Sequence, residues 1–299
     1  MFRNLLVPLD GSSLAEAAVP VAARLAERLG ASVALVHVIE RGAPSRVHGE
    51  SHLRDAERAK AYLAELAARV FPAGGEVQQH VHAEATTDVA RGIAEHIREL
   101  GRDLVVLCAH GRGGLRDLVS GPVGQQVLAH GRAPVLVVRA SAAGPAPDFE
   151  LHRLLVPLDE RPEHAAALAP AETLARAFGA SIRLLRVVPT RGTLAGEDVA
   201  GGLLLPRTTA AMLDIATVQA EEALAAVREG LAARGVEAIV EVTRGDPATS
   251  IVRATQDRPT DLVVLGTHGR KGMGAFWARS VADRVYRRTR LPLLLVPAG

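Results

Sequence analysis

The chain has 299 residues, of which 48% are hydrophobic and 23% are charged, and its formal net charge is only +2. This length corresponds to roughly two domains of about 150 residues each. No apolar run approaches the ~18 residues of a membrane span, and the single Cys108 excludes an intrachain disulfide or a multi-cysteine zinc site. The start of the chain lacks a signal-peptide pattern. We therefore expect a cytoplasmic protein without a membrane partner.

Basic residues are spread along the chain rather than gathered on one segment. The densest group surrounds Tyr286, between Arg284 and Arg290. A nucleic-acid surface needs aromatic stacking partners beside its cations, and one tyrosine is too few. The group is typical of the last turn of a helix, where cations oppose the helix dipole. We expect no nucleic-acid partner.

The sequence repeats itself once. The segment LLVPLD occurs at residues 5–10 and again at 154–159, and DLVVL occurs at 103–107 and again at 261–265. A third pair, APVLVV and LPLLLV, closes each copy. Such self-similarity indicates two copies of one structural unit.

The copies predict two domains and a linker. We place the first domain at residues 1–140 and the second at 149–299. Residues 141–148 between them are small residues and prolines, which favour neither helix nor strand.

In the first copy, the patterns predict strands and helices in alternation. The predicted strands are Arg3–Pro8, Ser32–Ile39, Glu76–Ala83, Leu104–Ala109 and Val135–Arg139. The predicted helices run from Ser12 or Ser13 to Leu29, from about Ser51 to Val70, from Thr87 to Leu100, and over a short stretch after Gly121. The second copy repeats this order with a longer second helix, about Thr208–Arg234.

Alternating strands and helices predict an α/β fold with two tandem, doubly wound domains, each with a five-stranded parallel sheet. The predicted strand order is 3-2-1-4-5. This order places Asp10 near Gly111 and Asp159 near Gly269, at the carboxyl edge where ligands bind such sheets. The fifth strands, each preceded by proline, are candidates for pairing the copies into an internal pseudo-dimer. Association of two chains into a homodimer is the other possibility.

Four motifs together resemble the universal stress protein family in its tandem form. They are VPLD at the first strand, His37-Val38-Ile39 at the second, the DLVV…HGR.G segments that end in Gly114 and Gly272, and the closing APVLVV strand. The resemblance covers nearly the whole chain. It implies a Rossmann-like, adenine nucleotide alpha hydrolase-like fold, with ATP and Mg²⁺ as the expected ligands.

Nucleotide-binding members of the family carry glycine, two residues, glycine, nine residues, then glycine and serine or threonine. Backbone amides freed by such glycines and by a helix N-terminus suit phosphate. The second copy keeps Gly266, Gly269 and Ser280 but has Arg279 in place of the third glycine. The first copy keeps Gly111 and Gly121, but Cys108 and Pro122 replace the first glycine and the hydroxyl residue.

The resemblance therefore implies a better site in the second copy than in the first. Candidate contacts in the second copy are Pro157, Asp159, Val187, Gly266, His268, Gly269, Arg270, Gly272, Arg279, Ser280 and Val281. Candidate contacts in the first copy are Pro8, Asp10, Val38, Gly111, Arg112 and Gly121.

Several of these residues have a second interpretation. Arg279 either blocks close approach or places a cation on the phosphates, while Glu160 beside Asp159 would repel an anion. The two aspartates, Asp10 and Asp159, could serve only as cap or turn residues. The glycines could serve only a turn, and His110 and His268 are more typical of turn hydrogen bonding than of catalysis.

The sequence shows no convincing metal or catalytic constellation. His48 and His52, and His80 and His82, are pairs, whereas a metal site needs three or four converging ligands. We expect a nucleotide-binding regulatory module that acts on an unknown protein partner and has no substantial turnover. The alternatives are an interaction protein with degenerate phosphate loops and a slow ATP hydrolase.

Overall fold

A computed structural model describes residues 1–43, 45–47, 50–71, 76–109, 127, 133–139, 149–160, 162–194, 204–267 and 280–297. In the first half, the strands are β1 Asn4–Pro8, β2 Ser32–Glu40, β3 Arg46–Val47, β4 Glu50–Ser51, β5 Val77–Thr86, β6 Leu104–Ala109 and β7 Val135–Arg139. The helices are α1 Ser13–Glu16, α2 Ala18–Leu29, α3 Ala56–Val70 and α4 Val89–Glu99.

In the second half, the strands are β8 Arg153–Pro157, β9 Ser181–Val188, β10 Ala238–Arg244, β11 Leu262–Thr267 and β12 Leu293–Pro297. The helices are α5 Leu168–Phe178, α6 Pro206–Ala233, α7 Pro247–Asp257 and α8 Val281–Arg288. Short 3₁₀ segments span Pro162–Ala167 and Arg191–Thr193.

The halves form one ten-stranded sheet in the order β10-β9-β8-β11-β12-β7-β6-β1-β2-β5. Each half has the 3-2-1-4-5 order expected from the sequence, and its strand pairs are parallel. The expected pairing of fifth strands is also present, because β12 lies antiparallel to β7, with Leu294 opposite Leu136. The chain therefore contains its own pseudo-dimer joint.

Helices cover both faces of the sheet because strand residues alternate between two apolar layers. Leu5 and Val7 point into the layer that holds Leu25 of α2 and Leu63 of α3. Leu6, between them, lies in the opposite layer with the apolar residues of α4, α7 and α8. Each side chain buried in these layers contributes roughly 1.5–3 kcal/mol relative to exposure.

Beyond the sheet, side chains also join the halves. Arg24 and Arg28 of α2 both reach Glu150 at the start of the second half. The Arg139 guanidinium lies 4.1 Å from the Tyr286 ring centroid and donates to the Tyr286 carbonyl oxygen at 2.5 Å. These polar contacts therefore add to the β7–β12 pairing in joining the two halves.

Equivalent aspartates, one in each half, hold the start of the first strand of that half. Asp103 accepts hydrogen bonds from the backbone amides of Arg3 (2.7 Å) and Asn4 (3.0 Å). Asp261 accepts from the amides of His152 (2.7 Å) and Arg153 (2.8 Å). The aspartate of the repeated DLVV segment thus lies at the amino end of the sheet, opposite the edge expected to bind ligand.

Three predicted boundaries were wrong. Helix α3 begins at Ala56 rather than near Ser51, because Asp55 caps it by accepting from the Arg58 amide, and the β3–β4 hairpin precedes it. The first predicted helix is divided at Ala17, since Pro20 has no amide hydrogen to donate to the preceding turn. Strand β5 continues to Thr86, past the predicted end at Ala83. The short helix predicted after Gly121 falls outside the described residues.

Candidate functional site

The carboxyl ends of β8, β9 and β11 meet at one edge of the second half's sheet. β8 lies between the other two, with Pro157 opposite Leu185 of β9 and Leu155 opposite Val263 of β11. This arrangement brings Asp159, just after β8, to the edge where β9 ends at Val188 and β11 at Thr267. Val187 and Gly266, both predicted contacts, are next to last in their strands.

Ser280 begins the helix that follows this edge. Its side-chain oxygen accepts a hydrogen bond from the Asp283 amide at 3.1 Å, so Ser280 is the N-cap of α8. Asp283 is itself buried and receives the Arg287 Nε at 3.0 Å on both carboxylate oxygens. The predicted contacts Ser280 and Val281 are thus placed at a helix N-terminus, where unpaired amides favour an anion.

We call this carboxyl edge the second mouth, and the equivalent edge of the first half the first mouth. The turn Gly245-Asp246-Pro247 closes the outer side of the second mouth. Gly245 has φ +146° and donates its amide to the Val188 carbonyl at 3.0 Å, which ties the turn to the end of β9. Asp246 caps α7 by accepting from the amide (2.9 Å) and hydroxyl (2.8 Å) of Thr249. It also accepts from Arg284 Nη1 at 2.8 Å, which links α7 to α8.

Burial alone would raise the pKa of the Asp246 carboxyl. The Thr249 hydrogen bonds and the nearby Arg284 cation outweigh burial, so the pKa lies below its ordinary value. Asp246 is therefore ionised at neutral pH.

Five predicted contacts of the second copy lie outside the described residues. They are His268, Gly269, Arg270, Gly272 and Arg279. The same holds for Gly111, Arg112 and Gly121 of the first copy. Their roles in ligand binding stay predictions.

In the first half, Pro8, Asp10 and Val38 lie at the equivalent edge, because β1 pairs with β2 and with β6. Asp10 accepts from the Ser12 amide at 2.9 Å and from its hydroxyl at 2.6 Å. Ser12 in turn caps α1 through the Ala15 amide. These contacts are those of a turn residue, which was one of the two interpretations of Asp10.

The segment before α3 packs its own side chains into this first mouth. Glu50 accepts from the Ser13 amide (2.9 Å) and hydroxyl (2.6 Å), so a carboxylate already occupies the first amide of α1. Leu53 lies so close to Gly11, which has φ +87°, that an added Cβ would be 2.8 Å from Leu53 Cγ. The first mouth is therefore partly filled by the chain itself.

His37 holds that segment in place, and the sequence reasoning did not single it out for this role. Its ring is 1% exposed, with Nδ1 2.8 Å from the Leu9 carbonyl oxygen and Nε2 2.9 Å from the Leu53 carbonyl oxygen. The signal was available, since a histidine inside an otherwise apolar strand must find hydrogen-bond partners when it is buried. The partners lie 28 and 16 residues away, so the sequence could not name them.

Two classes of site find no support in the described part of the chain. None of its groups of histidine, cysteine, aspartate or glutamate residues is arranged to hold a metal ion. Its helices are all too short or too polar to cross a membrane. Cys108 is buried and not in a disulfide.

Two doubly wound parallel units, joined through their fifth strands and each with a mouth at the carboxyl edge, define a tandem α/β protein of Rossmann-like architecture. The model of the universal stress protein family matches residues 1–139 and again 150–297. The chain belongs to the universal stress protein family, in its tandem form.

Curated relatives and a solved structure agree with this assignment. Universal stress protein MJ0531 of Methanocaldococcus jannaschii is 28% identical over 48% of this chain and 81% of its own length. Universal stress protein Sll1654 of Synechocystis sp. is 31% identical over 46% of this chain and 86% of its own length. A universal stress protein from Archaeoglobus fulgidus has the same fold over 99% of this chain and 96% of its own, with a TM-score of 0.69 and 18% identity.

Proposed function

We propose that the chain is a regulatory module that binds an adenine nucleotide, ATP with Mg²⁺, at the carboxyl edge of its second half. One observation carries the proposal: adjacent parallel strands bring Asp159, Val187 and Gly266 to a single mouth. Strand ends of this kind form the ligand crevice of doubly wound sheets. The residue types match the contacts that the family resemblance implies.

The helix that follows the mouth suits the phosphates. Ser280 caps α8 through the Asp283 amide, and Arg284 in the first turns of this helix contacts Asp246 beside the mouth. The dipole at such a helix N-terminus favours negative charge. Gly266 leaves the carboxyl end of β11 without a side chain at that position. A nucleoside would then lie toward β9, where Val187 offers an apolar contact and backbone hydrogen-bonding groups.

The second half is favoured over the first because the first mouth holds Glu50 and Leu53. A carboxylate at the start of α1 repels a polyanion, and Leu53 takes up space beside Gly11. These contacts favour a structural role for the first half. For that half alone, we therefore favour the alternative of an interaction unit that does not bind nucleotide.

We further propose that binding proceeds without substantial hydrolysis. A hydrolase needs a general base within reach of water. Among the described residues at the mouth, the Asp246 carboxylate is held by Thr249 and Arg284 and is therefore poorly placed to take a proton from water. Bound nucleotide would instead bias the chain toward one conformation or one protein partner.

The test begins with the purified full-length chain. Acid extraction should release a bound adenine nucleotide, and calorimetric titration with ATP–Mg²⁺ should show saturable binding with at most one strong site per chain. No heat and no thermal shift at millimolar ATP would contradict the proposal. Steady phosphate release that scales with protein and vanishes in Asp159→Ala would show turnover instead.

A pair of variants tests which half binds. Gly269→Val should abolish the calorimetric signal because the added side chain fills space that phosphate needs. Gly111→Val, the matched change in the first copy, should leave most of it. Equal losses in the two variants would refute the ranking of the halves.

A further inference from the structure

Three histidines meet at the outer edge of the first half's sheet. His80 and His82 are alternate residues of β5 and so share one face of the strand. His96 of α4 lies against both, with ring centroids 6.1 Å from His80 and 5.4 Å from His82. The His82 and His96 rings are nearly perpendicular, at 87°. These imidazoles therefore lie where the edge strand meets its covering helix.

The surroundings of one ring nitrogen, His96 Nε2, favour the neutral form of that histidine. His96 Nε2 is buried and has no hydrogen-bond partner among the described residues. A neutral imidazole can leave one nitrogen as a bare acceptor, whereas a protonated ring has two N–H donors. Protonation would thus bury a charged donor without an acceptor, which is among the costlier defects in a protein.

A permanent cation lies beside the cluster. Arg102 is 7% exposed, and its Nη2 donates to Gln78 Oε1 at 2.6 Å. His80 Nε2 lies 3.4 Å from the same oxygen. Arg102 also donates from Nη1 to Ser32 Oγ at 3.2 Å. A proton added to His80 therefore enters a region that already holds a positive charge.

The other charged groups near the cluster come from every element packed around it. From α4 these are Glu95 and Glu99 beside His96, and Glu76 and Asp103 act on Arg102. A groove of about 640 Å³ lies beside His82 and is lined by residues that include Arg41, Glu84, Asp88, Arg91 and Glu95. Arg91 is paired with Glu95 at 3.1 Å. On the opposite face, Val77 and Val81 pack into the apolar layer with α3.

The balance of these groups disfavours protonation. Burial lowers the pKa of His80, and Arg102 lowers it further. Burial also lowers the pKa of His96, with His82 and His80 acting in the same direction and Glu99 and Glu95 opposing.

We propose that the His80–His82–His96 cluster is an acid-sensitive latch, which holds α4 on β5 while His80 and His96 are neutral and loosens this edge of the first half when they are protonated. Loosening of β5 would also affect the first mouth, because β5 is hydrogen-bonded to the residue that follows β2. The Arg41 amide donates to the Thr86 carbonyl at 2.8 Å, at the carboxyl end of β5.

The direction of the pH effect follows from the lowered pKa values of His80 and His96. An opened edge exposes these rings and restores ordinary pKa values of about 6.5. The open state then binds more protons than the closed state, so the latch is intact above about pH 6.5 and weakens as pH falls below it. The open population rises by at most roughly tenfold per pH unit for each histidine.

The second half provides an internal reference that lacks the latch. By strand register, Glu241 of β10 is equivalent to His80 of β5, and Thr243 is equivalent to His82. Counted from the capping aspartates of α4 and α7, Ala254 takes the place of His96. The peptides of β10 and α7 should therefore lack the acid response.

Hydrogen–deuterium exchange of the intact chain, corrected for intrinsic rates, tests the latch between about pH 7.5 and pH 5.5, the range in which histidine changes its charge. We expect β5 and α4 peptides to lose roughly tenfold or more protection on acidification, while β10 and α7 peptides change little. Equal pH dependence in the two halves would overturn the proposal.

Variants identify the groups responsible. The triple change His80→Gln, His82→Gln and His96→Leu should remove the excess pH dependence of β5 and α4. The control His152→Gln, at an exposed position in the other half, should leave the excess intact.

Proton NMR of the wild-type rings requires no variant. It should place the His80 and His96 titrations below that of an imidazole in a short peptide. Titration of both rings at or above the peptide value would overturn the latch, even where the triple variant fails to fold.

Discussion

Where the outer strand of the first half carries His80 and His82, the same positions of the second half hold Glu241 and Thr243. Both halves nevertheless bury an arginine in this outer layer. Arg102 donates to Gln78 and Ser32, whereas Arg183 donates to the Ala254 carbonyl at 2.6 Å and to Thr260 Oγ1 at 3.0 Å. Arg183 also lies 3.5 Å from Glu241, a carboxylate that the first half replaces with histidine.

The halves thus share a backbone and differ in the polar groups attached to it. The strand order depends on apolar runs that both copies keep, and these tolerate different side chains at the edges and mouths. Burial lowers the pKa of both Arg102 and Arg183, which marks each as a cation held at a cost. In the second half Glu241 of the outer strand partly offsets this effect, whereas in the first half Asp103 and Glu76 do so. Equal folds therefore do not imply equal pH responses or equal ligand sites.

Weakening the β7–β12 pairing, which makes the halves one sheet, should have the strongest effect on stability. Leu294 is fully buried opposite Leu136, so Leu294→Ala should lower the free energy of unfolding by about 3 kcal/mol through lost burial and a cavity. Urea unfolding measures this change. The matched control Leu204→Ala, at a side chain 78% exposed, should change it by roughly 0.5 kcal/mol or less; similar losses would contradict the role of the joint.

The carboxylate at the start of each half tests whether the copies are equivalent at the amino edge. Asp103→Ala and Asp261→Ala each remove an acceptor of two backbone amides, so each should lower unfolding free energy by about 2 kcal/mol. Asp214→Ala, which removes an exposed pairing with Arg244, should cost roughly 0.5 kcal/mol. A large difference between the first two variants would show that the repeat is not equivalent there.

A pair of glycine variants tests how the first mouth is filled. Gly11→Ala combines a left-handed backbone with a clash against Leu53, so we expect a loss of about 2 kcal/mol in thermal or urea unfolding. Gly42→Ala has a similar backbone, φ +72°, but nothing within 4 Å of its added Cβ. It should cost about 1 kcal/mol, and an equal loss in both would mean that Leu53 does not fill the first mouth.

Much of the fold was readable from the sequence because its strands are buried on both faces. Runs such as Leu104–Ala109 and Val135–Arg139 are continuous, apolar and rich in valine, and the structure confirmed both ranges. The predicted strand order correctly placed β5 at an edge. The β3–β4 hairpin was missed because two-residue strands carry no periodic signal.

The candidate site was only partly readable. Glycines, an aspartate and a serine at repeated spacings indicated where strand ends should meet, and strand order placed Asp159, Val187 and Gly266 at one edge. The occupants of the first mouth were not foreseen. Glu50 lies in the two-residue strand β4 and Leu53 in the loop after it, and neither position carries a sequence pattern. Their contacts with Ser13 and Gly11 join parts of the chain about forty residues apart.

The tandem repeat, the parallel strands and their order follow from the amino-acid sequence, since apolar periodicity and chain connectivity are local properties that survive in any homologous copy. The contacts between polar groups emerge instead from the folded chain: Glu50 binds Ser13, His37 lies between Leu9 and Leu53, and His96 packs against the histidines of β5. Electrostatic and hydrogen-bond energies depend on distances of a few ångströms between residues far apart in the chain. No pattern within one segment encodes such distances.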